Sequence, residues 1–270
     1  MAARRLLAGR SVAALGFGGY RVSNTPQHAA ALLTSLEHGC DVIDTSPSYT
    51  DGGSETLIGA VLAARAERQP GAPRPLVVTK VGTMQGAELA DAAAREQAGR
   101  PWRDVIKLSE SAWLCLSPEY IAHSVAASTR RLGAPPDVVL LHNPELILAD
   151  LARRGAATAA AVDAFYEATL PRAFAALEAH PALQCYGLSA NTHGCASRWW
   201  GVAPGTSRFA PSPQGCQGSC SSVTHGTGRP MGRAGRRQRG GGLGPRAGGG
   251  GGGRGGGVRA WARSHHHHDS

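Results

Sequence analysis

The chain has 270 residues, and its 28 Lys and Arg against 19 Asp and Glu give a formal net charge of +9. The charge is uneven, because residues up to Cys195 hold 17 basic against 18 acidic side chains, whereas those from Ala196 onward hold 11 against 1. The basic character therefore belongs to the C-terminal part and does not indicate a nucleic-acid partner for the rest. No apolar run reaches the ~18 residues that a membrane helix requires, so no membrane role is expected.

Six cysteines are spread along the chain without the density of a secreted disulfide framework. We therefore expect reduced thiols in a cytoplasmic protein. The first residues contain Arg4 and Arg5 and no acid, a composition that leaves a plastid or mitochondrial location as the alternative.

Apolar runs and helical periods alternate along the first 194 residues. The predicted strands cover residues 12–15, 41–44, 76–79, 137–141 and 184–188, and the predicted helices cover residues 26–38, 54–68, 117–132 and 156–179, the last one broken near Pro171. Strands that alternate with helices predict a parallel sheet with right-handed crossovers. Residues 84–115 interrupt the alternation, and a segment of that length is usually functional or has structure of its own.

Polar side chains mark the ends of three predicted strands. Asp44, Lys80 and His142 each end or directly follow a strand, and Tyr49 lies in the loop after Asp44. Alone, each residue is typical of a solvated strand end or a surface side chain. Because the carboxyl ends of parallel strands meet at one end of a sheet, we expect the four side chains to lie together.

Together these four residues predict proton chemistry at an oxygen atom. The ammonium of Lys80 would stabilise the phenolate form of Tyr49, and Asp44 would hold Lys80 charged and in place. His142 would donate to a carbonyl oxygen while Tyr49 delivers or removes its proton.

Five segments taken in order resemble the aldo-keto reductase family. They are GFGG at residues 16–19, VIDTSPSY at 42–49, VVTK at 77–80, VVLLHNPE at 138–145 and YGLSAN at 186–191. The resemblance covers about residues 10–194 and is strongest to the branch that acts on sugars and small aldehydes, including aldose dehydrogenases of the galactose-dehydrogenase type.

The resemblance implies a fold and a catalytic set. The fold is a (β/α)8 barrel of the TIM type, an α/β architecture. The implied catalytic residues are Asp44, Tyr49, Lys80 and His142, with Tyr49 as the acid and base. The substrate would be a small carbonyl compound or a sugar.

The resemblance also implies a nicotinamide cofactor, usually NADP, with NAD as the alternative. The residues that match the family's cofactor site are Gly18, Gly19, Asp44, Ser189 and Asn191. Ala190 stands between the last two, where family members more often have Ser and Asn adjacent, so Asn191 is the weaker match.

The pattern changes after Gly194, where the sequence turns to Ser, Pro and Gly and then to Gly and Arg. We predict a partial barrel of about five of the eight strands over residues 1–194 and a disordered Gly/Arg-rich tail over residues 195–270. Since an unclosed parallel sheet exposes its edges, we expect weak cofactor binding or none, and little activity.

The alternative function is that of a catalytically inactive, truncated barrel that binds RNA through the Arg/Gly tail or a protein partner through the open barrel. RNA is not the expected ligand, because the tail lacks interleaved aromatic residues for base stacking. Cys216, Cys220 and His225 lack a second ligand pair at zinc-finger spacing, so no metal site is predicted. The sequence predicts no oligomeric state.

Overall fold

Residues 3–191, together with the backbone of residues 206–211 and 223–224, are described by the structure, which is a computed structural model. The chain divides into two units, Met1–Thr227 and Gly228–Ser270, and the second unit lies entirely outside the described residues. The predicted boundary at residue 194 and most of the predicted disordered tail also lie outside them, so both stay predictions.

Strands and helices alternate as the sequence pattern predicts. The strands are β1 (Arg4–Leu7), β2 (Arg10–Ala13), β3 (Phe17–Gly18), β4 (Val42–Asp44), β5 (Leu76–Val81), β6 (Thr83–Met84), β7 (Ile106–Ser109), β8 (Ala112–Leu114), β9 (Val138–His142), β10 (Cys185–Ser189), β11 (Thr206–Pro211) and β12 (Val223–Thr224). The helices are α1 (Pro26–Glu37), α2 (Gly53–Arg68), α3 (Gly86–Gln97), α4 (Pro118–Leu132), α5 (Leu146–Arg153), α6 (Ala159–Ala164) and α7 (Leu170–Glu178).

Five parallel strands form the central sheet, in the order β3, β4, β5, β9, β10. Helix α1 follows β3, α2 follows β4, α4 comes between β5 and β9, and α5 to α7 come between β9 and β10. This arrangement confirms the predicted partial α/β barrel with about five parallel strands. On the far side of β10, the backbone of β11 pairs antiparallel with it, and β12 pairs antiparallel with β11.

The first predicted strand, at residues 12–15, was placed wrongly. Its start belongs to β2, which pairs antiparallel with β1 in a separate two-stranded hairpin, and the first strand of the parallel sheet is β3. The turn of the hairpin is Ala8–Gly9, with φ angles of 49° and 72°, and two positive φ angles in a two-residue loop are typical of a β-hairpin. Ala is a rare choice at such a position, so the turn has no strong sequence signal.

The hairpin closes the amino-terminal end of the parallel sheet. Leu7 and Val12 are buried in one apolar cluster with Leu76 and Val138, which are the first residues of β5 and β9. Every second residue of β5 and β9 points to this interior, whereas the residues between them pack against the helices. Both faces of the central strands are therefore covered, and all six residues of β5 are buried.

Capping residues explain where two of the helices begin. Thr25 accepts a hydrogen bond from the backbone N–H of His28 at the start of α1, and Ser117 does the same for Tyr120 at the start of α4. Each cap is followed by a proline at the first helical position. The predictions for α1, α2 and α4 are confirmed to within two residues at each end.

Two other segments differ from a simple strand and helix alternation. Residues 84–115 have structure of their own, as expected: α3 and a three-stranded antiparallel sheet in the order β6, β8, β7. The helix predicted over residues 156–179 is divided into α6 and α7 by a π-helical turn at Phe165–Thr169, just before Pro171. The sequence pattern missed α5.

A charged network lies between the sheet and the helices that cover it. The carboxylate of Glu55 is fully buried, accepts a hydrogen bond from Thr79 Oγ1 at 2.5 Å and pairs with Arg131 Nε at 2.6 Å. Glu88 lies 3.7 Å from the same guanidinium and accepts hydrogen bonds from Tyr120 and Ser124. Burial raises the pKa of Glu88 above its usual value, although the two hydrogen bonds and Arg131 oppose this shift.

Candidate active site

Lys80 is a buried cation at the carboxyl end of β5. Its Nζ lies 2.7 Å from Asp44 Oδ1 and 2.8 Å from the backbone oxygen of Thr45, and the side chain is 2% exposed. An ammonium at such a position requires an anionic partner and further acceptors to offset the loss of water. Asp44 and Thr45 provide both.

Strand register explains why this pair forms. Asp44 lies opposite Val78 in the parallel pairing of β4 with β5, and Lys80 follows two residues later on the same face of β5. Val78 belongs to the interior apolar cluster, so the side chain of Lys80 is also directed to the interior. Asp44 and Lys80, two of the four predicted catalytic residues, are therefore in direct contact.

Tyr49 lies over this ion pair. It begins a short 3-10 turn after β4, its ring centroid is 4.8 Å from Lys80 Nζ, and its ring meets the His142 ring edge-on at 6.1 Å. An ammonium at that distance from an aromatic ring is attracted to it. The structure thus brings all four predicted catalytic side chains to one end of the sheet.

The backbone that follows Tyr49 is strained. Thr50 and Asp51 have positive φ angles of 49° and 54°, and Gly52 follows at 81°. Left-handed backbone is unusual for a β-branched residue such as Thr50, and it persists only where contacts hold it. Thr50 Oγ1 donates to the backbone oxygen of Val22 at 2.6 Å, and this hydrogen bond helps to hold the turn.

The same turn lies against the start of α3. A Cβ atom on Gly86, which has a φ of 53°, would lie 1.7 Å from Asp51 Oδ1. Any other residue at position 86 would therefore force the Asp51 side chain to move. Backbone conformation and space both restrict this position to glycine.

His142 completes the set from the end of β9. Its Nδ1 lies 3.4 Å from Ser46 Oγ, its backbone oxygen accepts from Thr83 Oγ1 at 3.1 Å, and it lies opposite Ser189 in the pairing of β9 with β10. Burial, and to a smaller extent the charge of Lys80, lower the pKa of His142 to about 3. The imidazole is therefore neutral at physiological pH.

The two predicted cofactor glycines have different surroundings. Gly19 is buried, and a Cβ atom there would lie 2.6 Å from Ser54 Oγ and 2.9 Å from the backbone oxygen of Asp44. Gly18 is exposed, and a Cβ atom there would meet no atom within 4 Å. The lack of a side chain at Gly19 is thus required by the protein's own packing, whereas the space beside Gly18 is open.

Ser189 and Asn191 lie at the end of β10, next to the end of β9. Ser189 accepts a hydrogen bond from the backbone N–H of Asn143 through its own backbone oxygen at 2.7 Å. Asn191 donates from Nδ2 to Asn143 Oδ1 at 3.1 Å and from its backbone N–H to Glu145 Oε1 at 2.8 Å. Asn143, with a positive φ of 51°, was not among the predicted site residues.

Two further residues at this site were missed by sequence reasoning. Tyr20 is 66% exposed, and its ring lies 5.3 Å from the Tyr49 ring in an edge-on arrangement. Ser46 contacts His142, as described above. Their only signal is their place within or directly after the GFGG and DTSPSY segments.

Among residues 3–191, no group of three His, Cys, Asp or Glu side chains is arranged to hold a metal ion, and the Cys216, Cys220 and His225 set lies outside the described residues. No helix in the described part of the chain has the length and apolar character needed to cross a membrane.

The comparison with family models gives one match. The model of the aldo/keto reductase family matches residues 14–196. Comparison with curated proteins finds no match.

Several solved structures resemble this chain. A holo-form aldo-keto reductase from Bacillus halodurans has 23% identity and a TM-score of 0.48 over 70% of this chain and 51% of its own. A glycerol dehydrogenase from Gluconobacter oxydans has 18% identity and a TM-score of 0.44 over 67% of this chain and 46% of its own. An aldo-keto reductase from Klebsiella pneumoniae in complex with NADPH has 21% identity and a TM-score of 0.44 over 72% of this chain and 51% of its own. The chain spans about half the length of these proteins.

Proposed function

The chain belongs to the aldo/keto reductase family, and we propose that it is an NADP(H)-dependent oxidoreductase that acts on a small aldehyde, a ketone or a sugar alcohol. One observation carries the proposal. An ion pair between the buried Lys80 and the partly exposed Asp44 lies beneath the ring of Tyr49 and beside the neutral imidazole of His142. These are the groups needed to move a proton at a carbonyl oxygen.

Each side chain has a separate task in this proposal. Tyr49 gives its phenolic proton to the carbonyl oxygen during reduction and takes it back during alcohol oxidation. Lys80 favours the phenolate that remains, because its charge lies close to the Tyr49 ring. Asp44 holds that ammonium in place. His142 donates a hydrogen bond to the same oxygen and so orients the substrate.

The cofactor would be NADP(H), with NAD(H) as the alternative, and it would supply or accept the hydride at the carbonyl carbon. The amide side chains of Asn143 and Asn191 fit the carboxamide of a nicotinamide. The hydrogen bond between them leaves the NH2 group of Asn143 and the oxygen of Asn191 for other partners. Gly18 would allow close approach on the open side of β3, and Ser189 lies beside His142 in the sheet.

The test compares the full chain with its Tyr49→Phe variant at high NADPH concentration, because weak cofactor binding is expected. Consumption of NADPH is followed with small aldehydes, and reduction of NADP with sugar substrates. Tyr49→Phe should lower turnover by about 10²–10⁴-fold, the usual contribution of a positioned acid or base. NADPH binding, measured separately by fluorescence titration, should stay nearly unchanged.

Tyr20→Phe is the matched control, since it removes a hydroxyl from the neighbouring ring and leaves the ring itself. That variant should keep most of the turnover. Equal turnover in Tyr49→Phe and the unmodified chain would remove Tyr49 from the mechanism. No turnover by the unmodified chain with any carbonyl or sugar substrate would contradict the proposed function.

A further inference from the structure

Ser46 lies directly behind His142, on the side of the ring that carries Nδ1. The serine is fully buried, and its Oγ is 3.4 Å from His142 Nδ1, 2.9 Å from Ser48 Oγ and 3.3 Å from the backbone nitrogen of Ser48. The two residues in contact are 96 positions apart in the chain. A buried hydroxyl needs an acceptor for its single proton, and two acceptors are within reach.

The choice between those acceptors decides which ring nitrogen of His142 carries the proton. If Ser46 donates to Nδ1, that nitrogen is unprotonated and the proton is on Nε2. If Ser46 donates to Ser48 Oγ instead, Nδ1–H donates to Ser46 and Nε2 becomes an acceptor. A neutral imidazole can donate from only one of its two nitrogens, so the serine and the substrate compete for the same proton.

We propose that Ser46 is a positioning residue, which donates its hydroxyl proton to His142 Nδ1 and thereby keeps the imidazole proton on Nε2, where it can be donated to the substrate oxygen. The assignment rests on the proposed function, because only a hydrogen bond to a carbonyl oxygen requires a donor at that nitrogen. Ser48 supports this orientation, since its backbone N–H already donates to Ser46 Oγ and its hydroxyl can do so as well.

The neutral state of the ring supports the same assignment. The pKa of His142 is lowered to about 3, so the ring carries a single proton over the whole physiological range. A protonated ring would donate from both nitrogens, and the partner at Nδ1 would then have no influence on Nε2. With a neutral ring, the partner at Nδ1 fixes the tautomer.

The experiment is ¹⁵N NMR of the full chain labelled at histidine, without cofactor or substrate, with the His142 signals identified by their loss in His142→Asn. The unmodified chain should show the Nε2–H tautomer with a hydrogen-bonded Nδ1. Ser46→Ala should shift the Nδ1 signal toward that of an imidazole without this hydrogen bond and average both nitrogens between the two tautomers. Ser46→Thr, which keeps the hydroxyl, should restore the original signals.

Ser48→Ala is the matched control, because it removes an equivalent hydroxyl two residues away and leaves that of Ser46. It should keep the Nε2–H tautomer. The proposal is overturned if the unmodified chain shows Nδ1–H, or if Ser46→Ala leaves the His142 signals unchanged. These measurements do not depend on turnover, so their outcome is independent of the Tyr49→Phe test.

A kinetic measurement provides a second readout. Ser46→Ala should lower kcat/KM roughly fivefold, as expected for the loss of one neutral hydrogen bond, while NADPH binding stays unchanged. Ser46→Thr should recover the loss. A loss of activity in Ser46→Ala with unaltered His142 signals would count against the tautomer role.

Discussion

Lys80 Nζ lies 2.7 Å from Asp44 Oδ1, and the two members of this pair differ in their access to solvent. The lysine side chain is 2% exposed, whereas the aspartate side chain is 20% exposed. Removal of either partner leaves the other without its counter-ion, but the ammonium is the more deeply buried of the two charges. The two substitutions should therefore have unequal effects.

Asp44→Asn should lower the free energy of unfolding by about 3 kcal/mol, because it leaves a buried ammonium without an anion. Lys80→Met should lower it by less, roughly 1 kcal/mol, because the remaining carboxylate still reaches water. Urea denaturation of both variants and of the double variant checks this. The double variant should be more stable than Asp44→Asn, and equal effects of the two single changes would contradict the assigned burial.

Gly19→Ala and Gly18→Ala form a matched pair of adjacent substitutions. Neither glycine has a positive φ, so space alone distinguishes them. Gly19→Ala should lower the free energy of unfolding by about 1–3 kcal/mol through overpacking against Ser54 and the backbone of Asp44. Gly18→Ala should have little effect on stability, and thermal denaturation distinguishes the two. A stable Gly19→Ala variant would mean that β3 and β4 approach less closely than described.

The low pKa of His142 predicts a pH dependence of stability. The folded chain takes up this proton only near pH 3, whereas an unfolded histidine does so near its usual value of 6.5. Between these values the unfolded state binds more protons, so the free energy of unfolding falls as the pH falls through this window. His142→Asn removes the effect. The stability of this variant relative to the unmodified chain should rise as the pH drops from about 7 to about 4, and a constant difference would argue against a buried neutral ring.

Arg131 is the cation of the network behind the sheet. Arg131→Met should lower the free energy of unfolding by about 3 kcal/mol, because Glu55 and Glu88 would then lie close together with no positive charge between them. Arg130→Met is the control, since that neighbouring side chain is exposed and should contribute less than about 0.5 kcal/mol. Similar effects of the two changes in chemical denaturation would show that the network contributes little.

The sequence predicted the central strands because short apolar runs end in polar residues at regular intervals. That pattern located Asp44, Lys80 and His142, and their common end of the sheet followed from parallel pairing alone. Tyr49 could be added because it lies in the loop that follows Asp44. The contacts among these four side chains could be predicted only from the order of the strands that carry them.

Contacts that depend on turn geometry and distant packing were not predictable in this way. The β1–β2 hairpin turns at Ala8–Gly9, a pair without the usual Asn-Gly signal, and β3 has only two residues, too few for a hydrophobic period. The contact between Ser46 and His142 joins positions 96 residues apart. No local pattern reveals which nitrogen of a histidine faces a serine.

The alternation of faces along β5 also has a consequence for how the chain folds. A slip of one residue in the pairing of β5 would move Lys80 to the helix-covered face and Thr79 to the interior. Glu55 on that face already has a cation, Arg131, while Asp44 would lose its own. A misregistered sheet would therefore leave Asp44 without its counter-ion and break the hydrogen bond from Thr79 to Glu55. The residues proposed for catalysis thus also disfavour the wrong strand register during assembly.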